Sequence, residues 1–306
     1  MALNIQVFKT RALTALLFVA VMLSGLLWNF WSFVVLFTVI HFGCWYEYLK
    51  LTEKITATTI DSFVKWFFAL WGYAFVIFAG IQHFEFDIII KTSSFSINLK
   101  WLFFLLLFTG LIIFAVQNKM IPSKTKWMVF GGFVYISTPF TLLINLRDSP
   151  FLTNETFALL NFGKILTCLI IFSIWINDTM AYLVGSFIGK TPLSKISPKK
   201  TVEGTLGGIV LAVLVIGFSN KIISFDSINH PTPGLSVSVN PSFWFVIPAL
   251  CGIFGTLGDL FESKLKRMAD VKDSGSFMPG HGGFLDRFDS MLWAAPMVWL
   301  YVKLFV

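Results

Sequence analysis

The sequence is poor in charge. Of its 306 residues, 13% are Asp, Glu, Lys or Arg, where a soluble globular protein carries about 25%. So few ionisable groups cannot dress the water-facing surface of a chain this long. That excludes an ordinary soluble enzyme, a charge-rich disordered chain and a coiled coil. Cysteine is scarce too. Cys44, Cys168 and Cys251 lie far apart, in or beside apolar runs, with no Cys-x-x-Cys pair and no metal-ligand spacing. A secreted disulfide scaffold is therefore excluded, and the three thiols read as small apolar fillers. Internal repeats and low-complexity linkers are missing, so no domain boundary is drawn and residues 1–306 read as one domain.

What the chain has instead is apolar bulk: 56% hydrophobic residues, 36 Phe and 11 Trp, with a mean hydropathy of +0.79. This composition fits a polytopic membrane protein, in which each span takes about 20 apolar residues. Nine apolar runs stand out, at roughly 12–28, 30–46, 63–81, 101–117, 127–145, 157–176, 205–219, 242–258 and 290–306. The expectation is an all-α polytopic integral membrane protein of about nine transmembrane helices with a cytoplasm-facing polar cavity. Lys9 and Arg11 ahead of the first run look like the start of a signal peptide. A second run follows almost at once without a small-x-small cleavage site, so an uncleaved first span is expected.

The net charge of +7 would suggest nucleic acid in a soluble protein. In a membrane protein, cytoplasmic loops collect Lys and Arg, so no nucleic-acid partner is expected. With the N-terminus in the cytoplasm, 17 of the 23 basic residues fall on the cytoplasmic side and 6 on the other. That split follows the positive-inside rule and suits an odd number of spans.

Two segments, 177–204 and 259–289, fall on the expected cytoplasmic side and concentrate Gly and ionisable residues. The second holds 11 of the chain's 39 charges, of both signs, which a plain connector does not need. If residues 255–267 are helical, Asp259, Glu262, Ser263, Lys266 and Arg267 share one face, with acids nearer the membrane and bases one turn further out. The plainer reading is an interfacial amphipathic helix. Residues 272–289 follow, with four glycines, a proline and His281 between Gly280 and Gly282. Backbone N–H groups of such a loop can approach an anion closely. Glycine-rich loop, flanking bases and acids together suit phosphates and a divalent metal that bridges them.

In the first segment, Asn177 and Asp178 end or interrupt an apolar run. Gly185 and Gly189 form a small-xxx-small face for helix packing. Ser197-Pro198-Lys199-Lys200-Thr201 reads either as a solvated basic turn or as a nucleotide contact. Three histidines, His41, His83 and His230, have no motif around them and read as structural, and Glu47 beside Trp45, Tyr46 and Tyr48 reads as the anchor of a span end.

The run Ser263-x-Leu265-Lys266-Arg267-x4-Lys272-Asp273-x-Gly275-x2-Met278-Pro279-x-His281-Gly282-Gly283-Phe284-x-Asp286-Arg287-Phe288-Asp289 resembles the signature of the phosphatidate cytidylyltransferases, or CDP-diacylglycerol synthases. It spans 27 positions, with Met278 as a conservative departure. Asp178-x2-Ala181-Tyr182-x2-Gly185 and Ile196 to Gly204 resemble the same family, and the likeness is strongest over 175–290. It implies transfer of the cytidylyl group of CTP to phosphatidate at the cytoplasmic face, with Mg2+ and a second cation left open. It also implies Asp259 and Asp286 as metal ligands.

On these expectations Lys266, Arg267, Lys272 and Arg287 bind phosphates of CTP or phosphatidate. Lys199, Lys200 and Thr201 are second-choice nucleotide contacts, with Gly282 and Gly283 in the phosphate-binding loop. Ser263 and His281 donate hydrogen bonds to phosphate oxygens, and Asp289 and Asp178 act as secondary ligands or orient the bases. The expected partners are CTP, phosphatidate and the lipid bilayer, with a homodimer left open. The simplest location is a bacterial inner membrane. Alternatives are cytidylyl transfer or CTP-dependent phosphorylation on another lipid, such as an ether lipid or polyprenol, and, further off, a secondary transporter or a non-catalytic scaffold.

Overall fold

The computed structural model describes residues 5–81, 122–148, 162–229, 242–277 and 282–305, with short pieces at 87–88, 97–98, 105 and 108–110. Helix α1 covers Ile5–Leu27, α2 Phe30–Thr56 and α3 Ser62–Gly80. A two-residue antiparallel ladder pairs β1 (Asp87–Ile88) with β2 (Ile97–Asn98). Helices α4 (Ser123–Gly132) and α5 (Thr138–Arg147) form one rod through a π-helical turn at Phe133–Ser137. Then come α6 (Phe162–Ile188), α7 (Val202–Asn229), α8 (Phe243–Met268) and α9 (Leu285–Phe305). Among the described residues, 6 helices are long and apolar enough to cross a membrane: α2, α3, the α4–α5 rod, α6, α7 as far as Ser219, and α8. Helix α1 adds a shorter apolar stretch, Leu13–Leu27. The architecture is that of an all-α polytopic membrane protein. The run 101–117 lies almost entirely outside the described residues.

Local chemistry sets the helix limits. Asn29 accepts from the Ser32 N–H at 2.7 Å while Ser32 Oγ accepts from the Asn29 N–H at 3.0 Å, a reciprocal cap that starts α2. The tight passage to α3 is held by Glu53, which accepts from the Ile60 N–H at 2.7 Å and pairs with Lys65 at 2.8 Å. The π turn falls just ahead of Pro139, whose ring lacks a donor and crowds the preceding turn. Widening the helix there leaves Ser137 Oγ to accept from Trp45 Nε1 at 2.9 Å and to bond His41 Nε2 at 3.0 Å. His41 is thus a buried structural residue, while His83 and His230 lie outside the described residues. Cys44, Cys168 and Cys251 are buried and free, in the apolar roles expected of them.

Four boundaries differ from the sequence reading. The apolar runs expected to end at 46, 176, 219 and 258 continue as helix to Thr56, Ile188, Asn229 and Met268. Hydropathy falls at Asp178 and Asp259, but Asp259 is met by Lys200 from a neighbouring segment and Asp178 lies within electrostatic reach of the same lysine, so charge does not end the helix. Among the described residues, the segments outside helices shrink to 189–201, 269–277 and 282–284.

Helices α6, α7, α8 and α9 pack on one another, with α5 against α9. The packing depends on small residues at the crossings. A Cβ on Gly208 of α7 would meet the Asn177 carbonyl oxygen of α6 at 2.8 Å, and one on Gly204 would meet Gly185 Cα at 2.9 Å. Gly185 therefore packs α6 against α7, as its small-residue spacing suggests. A Cβ on Gly258 would run into the backbone of Asp289, which brings α8 and α9 together where both carry acids. We expect Gly208→Leu to lower stability by about 1–3 kcal/mol through overpacking, while Val210→Leu on the exposed side of the same helix stays within about 0.5 kcal/mol. Thermal unfolding of the detergent-solubilised protein checks both.

Candidate active site

The ionisable residues of the two polar segments gather at one end of the bundle in two adjoining groups. The first is built on the turn 189–201. The Leu193 N–H donates to the Lys200 carbonyl at 2.7 Å, and the Val202 N–H to the Thr191 carbonyl at 2.9 Å. Glu203 closes the turn by accepting from the Lys190 and Thr191 N–H groups, each at 3.1 Å. Thr201 caps α7, its hydroxyl oxygen accepting from the Gly204 N–H at 3.1 Å. The turn thereby holds Lys200 Nζ at 2.6 Å from Asp259 Oδ2 of α8. Burial alone would lower the Lys200 ammonium, but Asp259, with Asp178 and Asp289 behind it, holds it above the ordinary lysine value. It is therefore charged at neutral pH. Asp178 lies within electrostatic reach of Lys200, Asp259 and Arg287, and the buried Asp289 within reach of Asp259, Lys200 and Asp178. A pocket of about 460 Å3 opens here, lined by Asp178, Tyr182, Lys199, Lys200, Thr201 and Thr256 among others.

The second group joins the end of α8 to the start of α9. Lys266 Nζ pairs with Glu262, one turn before it, and with Asp286 Oδ1 at 2.6 Å. Glu262 is fully buried (0% side-chain exposure) and Asp286 nearly so (9%). The other Asp286 oxygen, Oδ2, accepts from the Gly283 N–H at 2.8 Å, and from the Ser274 N–H and hydroxyl, each at 2.9 Å. Gly282 has a φ of +85°, a backbone that L side chains rarely adopt, and a Cβ there would stand 2.6 Å from Asp286 Oδ2.

The structure thus unites Asp178, Lys199, Lys200, Thr201, Asp259, Asp289 and Arg287 in one group, and Lys266, Gly282, Gly283 and Asp286 in the other. The face drawn through Asp259, Glu262, Ser263, Lys266 and Arg267 is helical throughout, but it divides. Glu262 turns inward, Ser263 is half-buried, and Arg267 is exposed, its guanidinium 3.4 Å from the Val271 carbonyl. Lys272 sits on the exposed part of the loop. His281 lies outside the described residues. Among those described, no three His, Cys, Asp or Glu side chains converge as a ready-made metal site.

The residue that the sequence reading placed elsewhere is Glu47. It is 3% exposed, and its carboxylate accepts from the Phe284 N–H at 2.9 Å, the Leu285 N–H at 2.9 Å and the Ser274 hydroxyl at 2.8 Å. Far from merely anchoring a span end, it receives the glycine-rich loop. A Cβ on Gly275 or Gly283 would collide with its carboxylate. The glycines do let backbone N–H groups close on an anion, and one such anion is a side chain of α2. The only signal in the sequence was a lone acid among large aromatics.

The Cytidylyltransferase family model matches residues 9–305. The chain is 32% identical over 303 residues to the phosphatidate cytidylyltransferase of Bacillus subtilis (strain 168), covering 98% of each chain. It is 42% identical over 146 residues to that of Synechocystis, covering 46% of this chain and 44% of that one. It is also 40% identical over 147 residues to that of Thermotoga maritima, covering 47% and 51%. The chain belongs to the cytidylyltransferase family.

The Lys266 ammonium answers two carboxylates at once, so its loss leaves both without it. We expect Lys266→Met to cost about 3–5 kcal/mol of stability, as for other broken buried ion pairs. Thermal unfolding should show part of this recovered in Glu262→Gln/Lys266→Met, where one of the uncompensated charges is also removed.

Proposed function

We infer that the protein transfers the cytidylyl group of CTP to phosphatidate, giving CDP-diacylglycerol and pyrophosphate. The observation that carries this reading is its likeness, along essentially the whole of both chains, to the phosphatidate cytidylyltransferase of Bacillus subtilis. The polar end of the bundle has chemistry suited to the task. A phosphate oxygen of phosphatidate forms a bond to the α-phosphorus of CTP. The bond from that phosphorus to the bridging oxygen breaks, and the electron pair leaves with pyrophosphate. The nucleophile is already an anion and needs no strong base. The barrier lies in bringing two polyanions together, so positioning and charge neutralisation dominate.

Lys199, Lys200 and Thr201 line the 460 Å3 pocket and are suited to the CTP phosphates. Arg287, Lys266, Arg267 and Lys272 ring the same end and suit the phosphates of either substrate. A divalent cation such as Mg2+ takes hard carboxylate oxygens, and Asp259 and Asp286 offer them in the two adjoining groups, each facing a lysine ammonium at 2.6 Å. Asp259 and Asp286 would hold the ion, with Asp289 close to Asp259. The ion would supply neutralisation of the phosphate charge. The positive-inside count supports a cytoplasmic placement of this end, and the bacterial relatives support a bacterial inner membrane as its location.

Supplying CTP labelled in the α- or the γ-phosphate, with phosphatidate in mixed micelles, tests the reaction. We expect α-label in the lipid and γ-label in pyrophosphate, whereas γ-label in the lipid would make the protein a kinase. Lys200→Met is expected to raise the KM for CTP by about tenfold or more, the worth of one charged hydrogen bond. A KM equal to the parent's would remove Lys200 from the nucleotide site. For sidedness, a cysteine at the exposed Ser276 should react with an impermeant maleimide only in inverted vesicles, since the three native cysteines are buried. Labelling in intact cells alone would reverse the orientation.

A further inference from the structure

Asp286 stands in the first turn of α9, and the residues around it are met from α2. Ser274, Gly275, Gly283, Phe284 and Leu285 approach that helix, and what they meet there is Glu47. Its two oxygens take three hydrogen bonds. Oε1 accepts from the Phe284 N–H at 2.9 Å, and Oε2 from the Leu285 N–H at 2.9 Å and the Ser274 hydroxyl at 2.8 Å. Phe284 and Leu285 stand at the start of α9, where N–H groups have no partner within the helix. A carboxylate there satisfies both and also meets the positive end of the helix dipole. All three groups are donors, so the ionised carboxylate suits the site.

The contact reaches Asp286 through one atom. Ser274 Oγ lies 2.8 Å from Glu47 Oε2 and 2.9 Å from Asp286 Oδ2, so a single hydroxyl hydrogen serves both carboxylates. The Ser274 N–H also donates to Asp286 at 2.9 Å, and Ser274 Oγ accepts from the Asp286 N–H at 3.3 Å. Apolar contact adds to the hold. The Phe284 ring sits so close to Gly43, one turn before Glu47, that a Cβ there would collide with it, and Phe277 stacks on Phe284 with centroids 4.1 Å apart.

We propose that Glu47 is a positioning residue for cytidylyl transfer: from α2 it fixes the start of α9 and, through the Ser274 hydroxyl, the orientation of the Asp286 carboxylate. The proposal rests on the reading of the protein as a cytidylyltransferase. It gives α2, which lies far from the signature in sequence, a part in the reaction. It also explains why the loop is glycine at 275 and 283, where a side chain would displace the Glu47 carboxylate.

The test uses the full-length protein in nanodiscs with Glu47→Gln, Ser274→Ala and the double variant. Glutamine keeps the size of the side chain but turns an NH2 group toward donors. We expect kcat to fall about 100-fold in Glu47→Gln, as for a small misplacement of a reacting centre. The KM for CTP should change less than about threefold, since Lys199 and Lys200 do not touch Glu47. Hydrogen exchange at the Phe284 and Leu285 amides should accelerate about tenfold or more as their acceptor weakens.

Ser274→Ala cuts the bridge to Asp286 and leaves the two backbone bonds of Glu47. It should lower kcat about tenfold with exchange at 284–285 unchanged, and the double variant should fall short of the product of the single effects. A parent-like kcat in Glu47→Gln overturns the proposal. So does a lower kcat with unchanged exchange at 284–285, or a loss that appears in the KM for CTP alone. Where Glu47→Gln does not fold, Ser274→Ala decides, and a parent-like kcat there overturns the proposal. If the parent itself shows no cytidylyl transfer, the functional reading fails. Unchanged exchange at 284–285 in Glu47→Gln would then overturn the Glu47 hold on its own account.

Discussion

The site depends on a carboxylate that lies outside the signature. Glu47 is buried in α2, and burying a charge is costly unless donors replace the lost water. The donors that replace it are the first amides of α9 and the hydroxyl of Ser274. Each side therefore needs the other. Without the loop, Glu47 is a bare charge inside the bundle. Without Glu47, α9 begins with orphaned N–H groups beside a chain of glycines that has no preferred path. Mutual need of this kind makes a flexible sequence adopt one conformation. It also determines where Asp286 points, because Ser274 and Gly283, which bond Asp286, are fixed by the same contact.

The same logic runs through the rest of the polar end. Asp259 meets Lys200, and Lys266 meets Glu262 and Asp286. These pairs let α8 carry acids past the apolar part of its sequence without breaking. They can be formed only because the helices approach closely, and the close approach comes from glycine: Gly204 and Gly208 against α6, Gly258 against the Asp289 backbone. Small residues bring the elements together, and paired charges keep the polar groups tolerable in surroundings of low dielectric.

The class of fold was legible in composition alone, since scarce charge and long apolar runs leave few options. Much of the site was legible as well. The segments 177–204 and 259–289 were both singled out, and Lys200 and Asp259 pair across them. Two things were hidden, for physical reasons. Hydropathy reads each residue by itself, so the apolar runs stop at Asp178 and Asp259, although the helical pattern of 255–267 already allowed α8 to continue, and the charge of Asp259 is met by Lys200 from another element. Glu47 was hidden because its partners are mostly backbone amides, which have no signature in sequence, and because they come from more than two hundred positions away. The grouping of bases also failed in part. Periodicity put Arg267 and Lys266 on one face, yet the first is exposed and the second inside, since a helix face of that width spans both surroundings.

Charge balance ties these features to the proposed reaction. In the structure the Lys200 and Lys266 ammonium groups answer Asp259 and Asp286, with Glu262 sharing the second. A nucleotide triphosphate that drew those lysines toward its own oxygens would leave the carboxylates exposed to one another, with Asp178 and Asp289 close by. In partly buried surroundings such like charges repel strongly, because little water screens them. Positive charge arriving with the polyanion would relieve that repulsion. On the proposed function, a divalent cation bound with CTP would supply that charge.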